Sequence, residues 1–198
     1  MTNLSEFTFL SSDGKTQLHG MLWEPEGVAV RAVLQICHGV AEHIARYDGF
    51  ARALNEQGIV VAGHDHLGHG KSLPEGGTPV YFGEGNTWNT VVDDIYILHQ
   101  RLKQRYPDAP LCIMGHSMGS FLLRTYLYTY PDAVDKAVIS GTGWEDPMKV
   151  RMGKLVCKLE QARIGEKNTS ALVTKLMFGS YNKAFGPVTS PNAWICSD

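Results

Sequence analysis

Short apolar runs recur along the first 140 residues, and polar or glycine-containing turns separate them. Almost uninterrupted apolar runs of about four to eight residues are typical of strands buried on both faces of a parallel sheet. The runs predict strands at residues 32–37, 59–62, 111–114 and 137–140. Two earlier segments, residues 6–10 and 18–24, also have the composition of strands, and a polar turn at residues 12–15 separates them.

Three helices are predicted between the later strands. Residues 47–57, 87–106 and 118–130 place apolar side chains at the spacing of one helix face. Gly58 and Pro107 follow the first two segments, as residues that end helices do. Strands that alternate with helices imply an α/β fold, in which helices cover both faces of a mostly parallel sheet.

The alternation stops after the last predicted strand. Asp146 and Pro147 are a favourable helix start, because a carboxylate caps free amides and proline suits the first helical position. A second helix is predicted at residues 170–178. Two helices with no strand between them do not extend a sheet. We therefore divide the chain into a core at residues 1–143 and a helical insertion above the sheet at residues 144–198.

The composition narrows the class of protein. The chain has 198 residues, of which 43% are apolar and 19% charged, and its net charge is −2. These values give no electrostatic reason to expect nucleic acid or an anionic membrane as partner. We see no secretory signal and no apolar run of roughly 20 residues, the length that spans a bilayer. Four scattered cysteines without a CxxC pair indicate reduced thiols, so we expect a cytoplasmic protein with no integral membrane segment.

The most specific chemical signal is the pentapeptide Gly115-His116-Ser117-Met118-Gly119, which fits the pattern G-x-S-x-G. A predicted strand precedes it and a predicted helix follows it, as a nucleophile elbow requires. A serine at so tight a turn needs neighbours without side chains, and its hydroxyl projects from the edge of the sheet. The alternative is a chance match in a chain with 21 glycines. The flanking strand and helix favour Ser117 as a nucleophile.

A second signal is the segment HGVAEH, which begins at His38 directly after a predicted strand. In folds with a nucleophile elbow, the loop after this strand donates one amide N–H to an oxyanion hole. The residue after the nucleophile donates the other. Val40 and Met118 are therefore the predicted donors, whereas we expect His38 to be a packed, hydrogen-bonded residue.

A third signal is the segment HDHLGHGKS at residues 64–72, in which three histidines and an aspartate suggest a zinc site. A tight glycine turn after a strand explains the segment with fewer assumptions, with Asp65 and Ser72 bonding the amides of the turn. We favour the turn and predict no metal and no cofactor.

Together, the segments HGVAEH, HDHLGHGKS and GHSMGS resemble the monoacylglycerol lipase and lysophospholipase group of α/β hydrolases, also called serine aminopeptidase S33 or the hydrolase 4 type. The resemblance covers nearly the whole chain. It implies an α/β-hydrolase fold with a helical lid formed by residues 144–198. It also implies Ser117 as nucleophile and Val40 and Met118 as oxyanion donors. The implied reaction is hydrolysis of single-chain acyl esters, such as monoacylglycerols or lysophospholipids, through an acyl-enzyme without a cofactor.

The chain departs from this group in its histidines. In the α/β-hydrolase fold the chain order of the triad is serine, then an acid, then histidine. All eight histidines precede Ser117. Of the later carboxylates, Asp132 and Asp135 belong to the wrong edge of the sheet, and Asp198 falls where the resembling proteins return from the lid to the sheet. We therefore expect a C-terminally truncated chain that lacks the catalytic acid, the catalytic base and the last strands, and that is inactive.

Other function classes remain open at this stage. A binding module could keep the fold without the triad, and a metal-dependent hydrolase could use the histidine-rich segment. A thioesterase, peptidase or acyltransferase would share the same nucleophile. We expect a small acyl-ester lipid as substrate and a transient contact with a membrane surface through the lid.

Overall fold

A computed structural model of the chain describes residues 1–85 and 87–179. Its strands are β1 (Thr2–Leu10), β2 (Gln17–Pro25), β3 (Ala32–Cys37), β4 (Ile59–His64), β5 (Leu111–His116) and β6 (Lys136–Ser140). Its helices are α1 (Asp48–Asn55), α2 (Thr87–Arg105), α3 (Met118–Thr129), α4 (Pro147–Ile164) and α5 (Ala171–Phe178). Every helix and strand predicted from the described part of the sequence is present; β3 has its predicted bounds, and the others have shifted ends.

The strands form one mixed sheet in the order β1-β2-β4-β3-β5-β6. Strands β3, β4, β5 and β6 pair in parallel, whereas β2 pairs antiparallel with both β1 and β4. The α/β class with a mostly parallel sheet is confirmed. The antiparallel edge arises because β1 and β2 follow each other without a helix between them, and a short turn can join only antiparallel strands.

Helices cover both faces of this sheet, because alternate residues of the central strands face opposite sides. On one face, residues from the strands pack against α2 and α3: Val33, Val60, Ile113, Ile95, Leu98, Leu122 and Leu123. On the other face, the buried side chains are Met21, Trp23, Leu34, Ile36, Ile44, Ala51 and Val61. This burial on both sides explains why β3 to β5 read as continuous apolar runs.

Two strands continue beyond their predicted ends. The sequence prediction stopped β4 and β5 before Gly63 and Gly115, because glycine weakens the pattern of a strand. Both glycines nevertheless pair in the ladder, Gly63 with Ile36 and Gly115 with Cys37. A β-carbon at Gly63 would lie 2.8 Å from the carbonyl oxygen of Ile36. Close packing, and not a strand end, therefore explains the glycine at residue 63.

The chain divides into two compact units, Met1–Gly143 and Trp144–Asp198. In the second unit, the Asp146 carboxylate caps α4 by accepting from the amides of Met148 and Lys149, at 2.8 and 3.3 Å. The hydroxyl of Ser170 caps α5 in the same way, so both predicted helix starts are confirmed. Residues 180–198, which include Cys196 and the predicted return to the sheet at Asp198, lie outside the described residues. No helix in the described ranges has the length and apolar character needed to cross a membrane.

A buried carboxylate on α2 fastens the turn between β1 and β2 to the helix. Asp94 accepts from the hydroxyl of Ser11 at 2.9 and 3.0 Å and from the amide of Ser12 at 2.6 Å. Its side chain is fully buried. Burial raises the pKa of Asp94 to about 6, although the hydrogen bonds from Ser12 and Ser11 oppose the shift.

The unfolding free energy of the chain should fall, relative to that of Asp94→Asn, as the pH rises from about 4.5 to about 7.5. A carboxyl group with a raised pKa contributes its full stability below the unfolded pKa of 3.8, and this contribution is lost as the pH rises through about 6. The expected loss is about 2 kcal/mol. Urea unfolding of both proteins at each pH measures it, and a difference that stays constant with pH would contradict this role.

Candidate active site

Ser117 lies in the turn between β5 and α3 with a strained backbone. Its φ and ψ angles are 51° and −117°, a region that non-glycine residues seldom occupy. The Ser117 amide donates to the carbonyl of Ser140 at 3.0 Å, and the Ser117 carbonyl accepts from the Ser120 amide at 2.9 Å. Such strain persists only where the surrounding structure enforces it, and it is concentrated at functional sites.

The two glycines of the pentapeptide are required by close backbone packing. A β-carbon at Gly119 would overlap the carbonyl groups of Cys37 and His38. A β-carbon at Gly115 would overlap the carbonyl of Gly119. The first turn of α3 therefore lies directly against the end of β3, and this contact brings the loop after β3 beside Ser117.

The loop after β3 reaches the serine through Gly39. A β-carbon at Gly39 would lie 3.1 Å from Cβ of Ser117 and 3.4 Å from the carbonyl oxygen of His116. Among the described residues, no hydrogen bond uses the amide of Val40 or of Met118. Met118 is also the first residue of α3, where helix amides lack partners and the helix dipole favours negative charge. The amides of both predicted oxyanion donors thus lack a partner among the described residues, and their role stays a prediction.

No general base adjoins the serine in the part of the chain that the structure describes. None of the hydrogen bonds there joins the Ser117 hydroxyl to a histidine nitrogen. His116 instead places Nδ1 3.3 Å from the hydroxyl oxygen of Ser140. Asp135 accepts from the amide of Leu111 at 2.7 Å, at the start of β5. It therefore lies at the edge of the sheet opposite Ser117, as predicted.

His38 is a packed, hydrogen-bonded residue, which confirms its predicted character. Its ring is fully buried, and Nδ1 lies 2.8 Å from the carbonyl oxygen of Gly39. Its Nε2 accepts from the amide of His66 at 3.0 Å, so the proton resides on Nδ1. Burial lowers the pKa of His38 to about 4, which keeps the ring neutral near pH 7.

The histidine-rich segment folds as the tight turn that the sequence predicted. The Asp65 carboxylate accepts from the amide of Lys71 at 2.8 Å and from that of Ile44 at 2.7 Å. The prediction for Ser72 is wrong: its hydroxyl donates to the carbonyl of Asp65 at 2.7 Å and accepts from the amide of His19 at 2.9 Å, so it bonds no amide of the turn. Gly70 has a φ of +48°, and a β-carbon there would overlap the Asp65 carboxylate. The aspartate and the glycine therefore serve the turn.

The metal alternative finds no ligand set within residues 1–85 and 87–179. No group of three or more histidine, cysteine, aspartate or glutamate side chains there is arranged to hold a metal ion. The rings of His38, His64 and His66 pack on one another, with centroid separations of 4.2 and 4.9 Å. Burial lowers the pKa of His64 to about 3 and that of His66 well below its ordinary value, so both rings stay neutral.

Two contributors to the site were missed by the prediction from sequence. Ser140 accepts from the Ser117 amide, and Glu42 accepts a hydrogen bond from the amide of Gly39. The end of β6 gave no signal, because only the order of the strands places it beside β5. Glu42 stands three residues after Gly39, a spacing at which a side chain can reach back to an amide.

The chain is similar to known proteins in both sequence and fold. The family described as serine aminopeptidase, S33 (Hydrolase_4) matches residues 28–183. The chain belongs to this family. The matched residues include the loop after β3, the histidine-rich segment and Ser117.

Several S33 relatives bear lipase or esterase names. Monoacylglycerol lipase of Mycolicibacterium smegmatis is 30% identical over 160 residues, which are 78% of this chain and 54% of that protein. Monoglyceride lipase of Mus musculus is 34% identical over 110 residues, covering 56% of this chain and 34% of the mouse protein. The chain thus spans between a third and about half of the length of these relatives.

Among solved structures, a thermostable carboxyl esterase from Bacillus coagulans, crystallised with glycerol, superimposes with a TM-score of 0.83. It is 28% identical, and the match covers 98% of this chain and 62% of the esterase chain. The sheet and helices described above are therefore those of an α/β hydrolase.

Replacing Gly119 by alanine should destabilise the fold by about 3 kcal/mol or more, because the new methyl group meets backbone atoms that cannot move aside easily. Gly49→Ala is the matched control. Gly49 lies in α1, and a β-carbon there meets no atom within 4 Å, so this variant should gain up to about 1 kcal/mol from helix propensity. Urea unfolding measures both changes. Equal stabilities of the two variants would contradict the close packing of the elbow.

Proposed function

We propose that the chain carries the nucleophile and oxyanion hole of a serine hydrolase that cleaves carboxylic esters, with Ser117 as nucleophile. The observation that supports this most is the strained backbone of Ser117, together with the amides of Val40 and Met118, which have no hydrogen-bond partner among the described residues. A binding module has no need of a strained serine held in this way. The lipase and esterase names of the relatives agree with this chemistry.

The proposed reaction passes through an acyl-enzyme. The Ser117 hydroxyl oxygen attacks the ester carbonyl carbon while its proton passes to a base, and the carbonyl oxygen becomes an oxyanion. The amides of Val40 and Met118 donate hydrogen bonds to that oxygen. The tetrahedral adduct collapses, its C–O bond breaks, and the leaving alkoxide takes up a proton. Water then attacks the acyl group in the same way and releases the carboxylic acid and the serine hydroxyl.

The substrate we propose is a single-chain acyl ester such as a monoacylglycerol or a lysophospholipid. Relatives named monoglyceride and monoacylglycerol lipase support this substrate class. We further propose that residues 144–198 form a lid that contacts the acyl chain and, transiently, a membrane surface. Helix α4 supports this with a strip of exposed apolar side chains, all of them 57–63% exposed: Met148, Met152, Leu155 and Leu159.

We also propose that these 198 residues alone turn over ester poorly. A serine hydroxyl without a base is a weak nucleophile near neutral pH. No histidine nitrogen within the described residues is bonded to Ser117, and none of the eight histidines follows it in the sequence. His38 is not a substitute base, because both of its ring nitrogens are engaged with backbone groups. Hydrolysis of thioesters and amides, and acyl transfer to another acceptor, would be slow for the same reason, because each requires a base beside Ser117.

A fluorophosphonate probe should label the chain slowly, and peptide mapping by mass spectrometry should locate the label on Ser117. The probe is reactive enough to phosphonylate a serine hydroxyl beside an oxyanion hole even where ester turnover is slow. Ser117→Ala should remove the label, whereas Ser5→Ala, which alters an exposed serine on β1, should keep it. A label that persists in Ser117→Ala, or one on another residue, would refute the assignment of the nucleophile.

Steady-state hydrolysis of a monoacylglycerol by the 198-residue chain should be no faster than hydrolysis by its Ser117→Ala variant. Loss of the base typically lowers turnover by a factor on the order of a million. Release of fatty acid over several hours, with both proteins at equal concentration, measures the two rates. Multiple turnovers that disappear in Ser117→Ala would show that a base acts within these residues.

A further inference from the structure

One buried carboxylate gathers three hydrogen-bond donors beneath the loop that follows β3. Glu42 accepts from the amide of Gly39, from the hydroxyl of Tyr47 at 2.9 Å and from Nη1 of Arg46 at 2.8 Å. Its side chain is only 7% exposed. Tyr47 and Arg46 belong to the 3₁₀ turn Ile44–Tyr47, so the carboxylate joins this turn to the start of the loop.

The loop between Gly39 and Glu42 is bent sharply where this contact closes it. Ala41 has a φ of 57°, which is unfavourable for a residue with a side chain. Because Glu42 takes up the amide of Gly39, the amide of Val40 is the first in the loop without an acceptor among the described residues. The Glu42 side chain thus occupies the Gly39 amide and leaves that of Val40 without an acceptor. It also opposes a return of Ala41 to a negative φ, which would rotate the peptide group between Val40 and Ala41.

We propose that Glu42 is a positioning residue that holds the Val40 amide in place as an oxyanion donor. The inference rests on the proposed function of Ser117, because an oxyanion forms only if that serine is acylated or phosphonylated. Preorganised donors stabilise a transition state only when they already point to the place where charge develops. Glu42 supplies this preorganisation without touching the substrate.

The geometry of Glu42, and not its charge, is what the role requires. A negative charge near a developing oxyanion opposes catalysis by itself, and the guanidinium of Arg46 offsets it here. Burial first, and then the nearby Glu42 carboxylate, raise the pKa of Tyr47, so its hydroxyl stays protonated and donates. Glutamine keeps an oxygen that can accept from Gly39 and Tyr47. Glu42→Gln should therefore preserve the loop where Glu42→Ala does not.

The chain offers a matched control at Glu24. This carboxylate accepts from Nη2 of Arg105 at 2.9 Å and from the hydroxyl of Tyr106 at 2.5 Å, so it joins the same kinds of donor. It lies on β2 and contacts neither Ser117 nor the loop after β3 in the described structure. Glu24→Ala therefore removes a similar network without altering the oxyanion donors.

The test measures fluorophosphonate labelling of Ser117 over a range of probe concentrations. This range gives two separate quantities, the maximal labelling rate and the probe concentration at which the rate is half-maximal. Glu42→Ala should lower the maximal rate about tenfold or more, with the half-saturating concentration unchanged. Glu42→Gln should stay within about threefold of the unmodified chain. Glu24→Ala should leave both quantities unchanged.

Hydrogen exchange of the Gly39 amide, followed by NMR, gives a second readout that needs no chemistry at the serine. Exchange should be faster in Glu42→Ala and remain slow in Glu42→Gln and Glu24→Ala. Labelling of Glu42→Ala at the unmodified rate, or unchanged exchange of Gly39, would overturn the inference. If Glu42→Ala does not fold, Glu42→Gln decides, and slow labelling by this variant would also overturn it. If the unmodified chain is not labelled at all, the proposed function fails, and Gly39 exchange alone decides whether Glu42 holds the loop.

Discussion

The left-handed backbone at Ser117 is the constraint on which the rest of the site depends. It turns the chain from β5 into α3 within one residue, and it is held from two sides. The Ser117 amide donates to Ser140 at the end of β6, and Gly119 packs on the carbonyls at the end of β3. Because β3 and β6 flank β5, the order of the sheet itself enforces the strained turn. The same contact with β3 brings Gly39, at the start of the following loop, beside the serine.

Buried polar groups then fix the loops around this turn. Asp65 bonds the amides of Ile44 and Lys71, and its Oδ2 lies 3.1 Å from Nδ1 of His19. His38 joins its own loop to the turn after β4, through the amide of His66. Ile44 and Leu67 of these loops are also buried in the core, so hydrogen bonds and apolar packing together determine the shape of the loops. Of the segment's histidines, His66 contributes its backbone amide and His69 places Nδ1 2.9 Å from the carbonyl oxygen of Leu67, whereas the rings of His64 and His66 form no hydrogen bond among the described residues.

Much of the fold and part of the site could be predicted from the sequence. Continuous apolar runs and helical spacing located every described strand and helix, and the G-x-S-x-G pattern led to the strained residue found at Ser117. The true ends of β4 and β5 were not predicted, because ladder pairing across Gly63 and Gly115 overrides their low strand propensity. The antiparallel edge was not predicted, because the apolar runs do not record which strands pair or in which direction. Glu42 was missed because its three contacts depend on how the loop folds back, which no periodic pattern records.

The central proposal is that the Ser117 hydroxyl and the amides of Val40 and Met118 form one oxyanion site. A crystal structure of the chain after reaction with a small fluorophosphonate tests it most directly. We predict phosphorus bonded to the Ser117 oxygen and a phosphoryl oxygen about 2.7–3.1 Å from the amide nitrogens of both Val40 and Met118. A phosphoryl oxygen that faces solvent, or that bonds to neither amide, would contradict it.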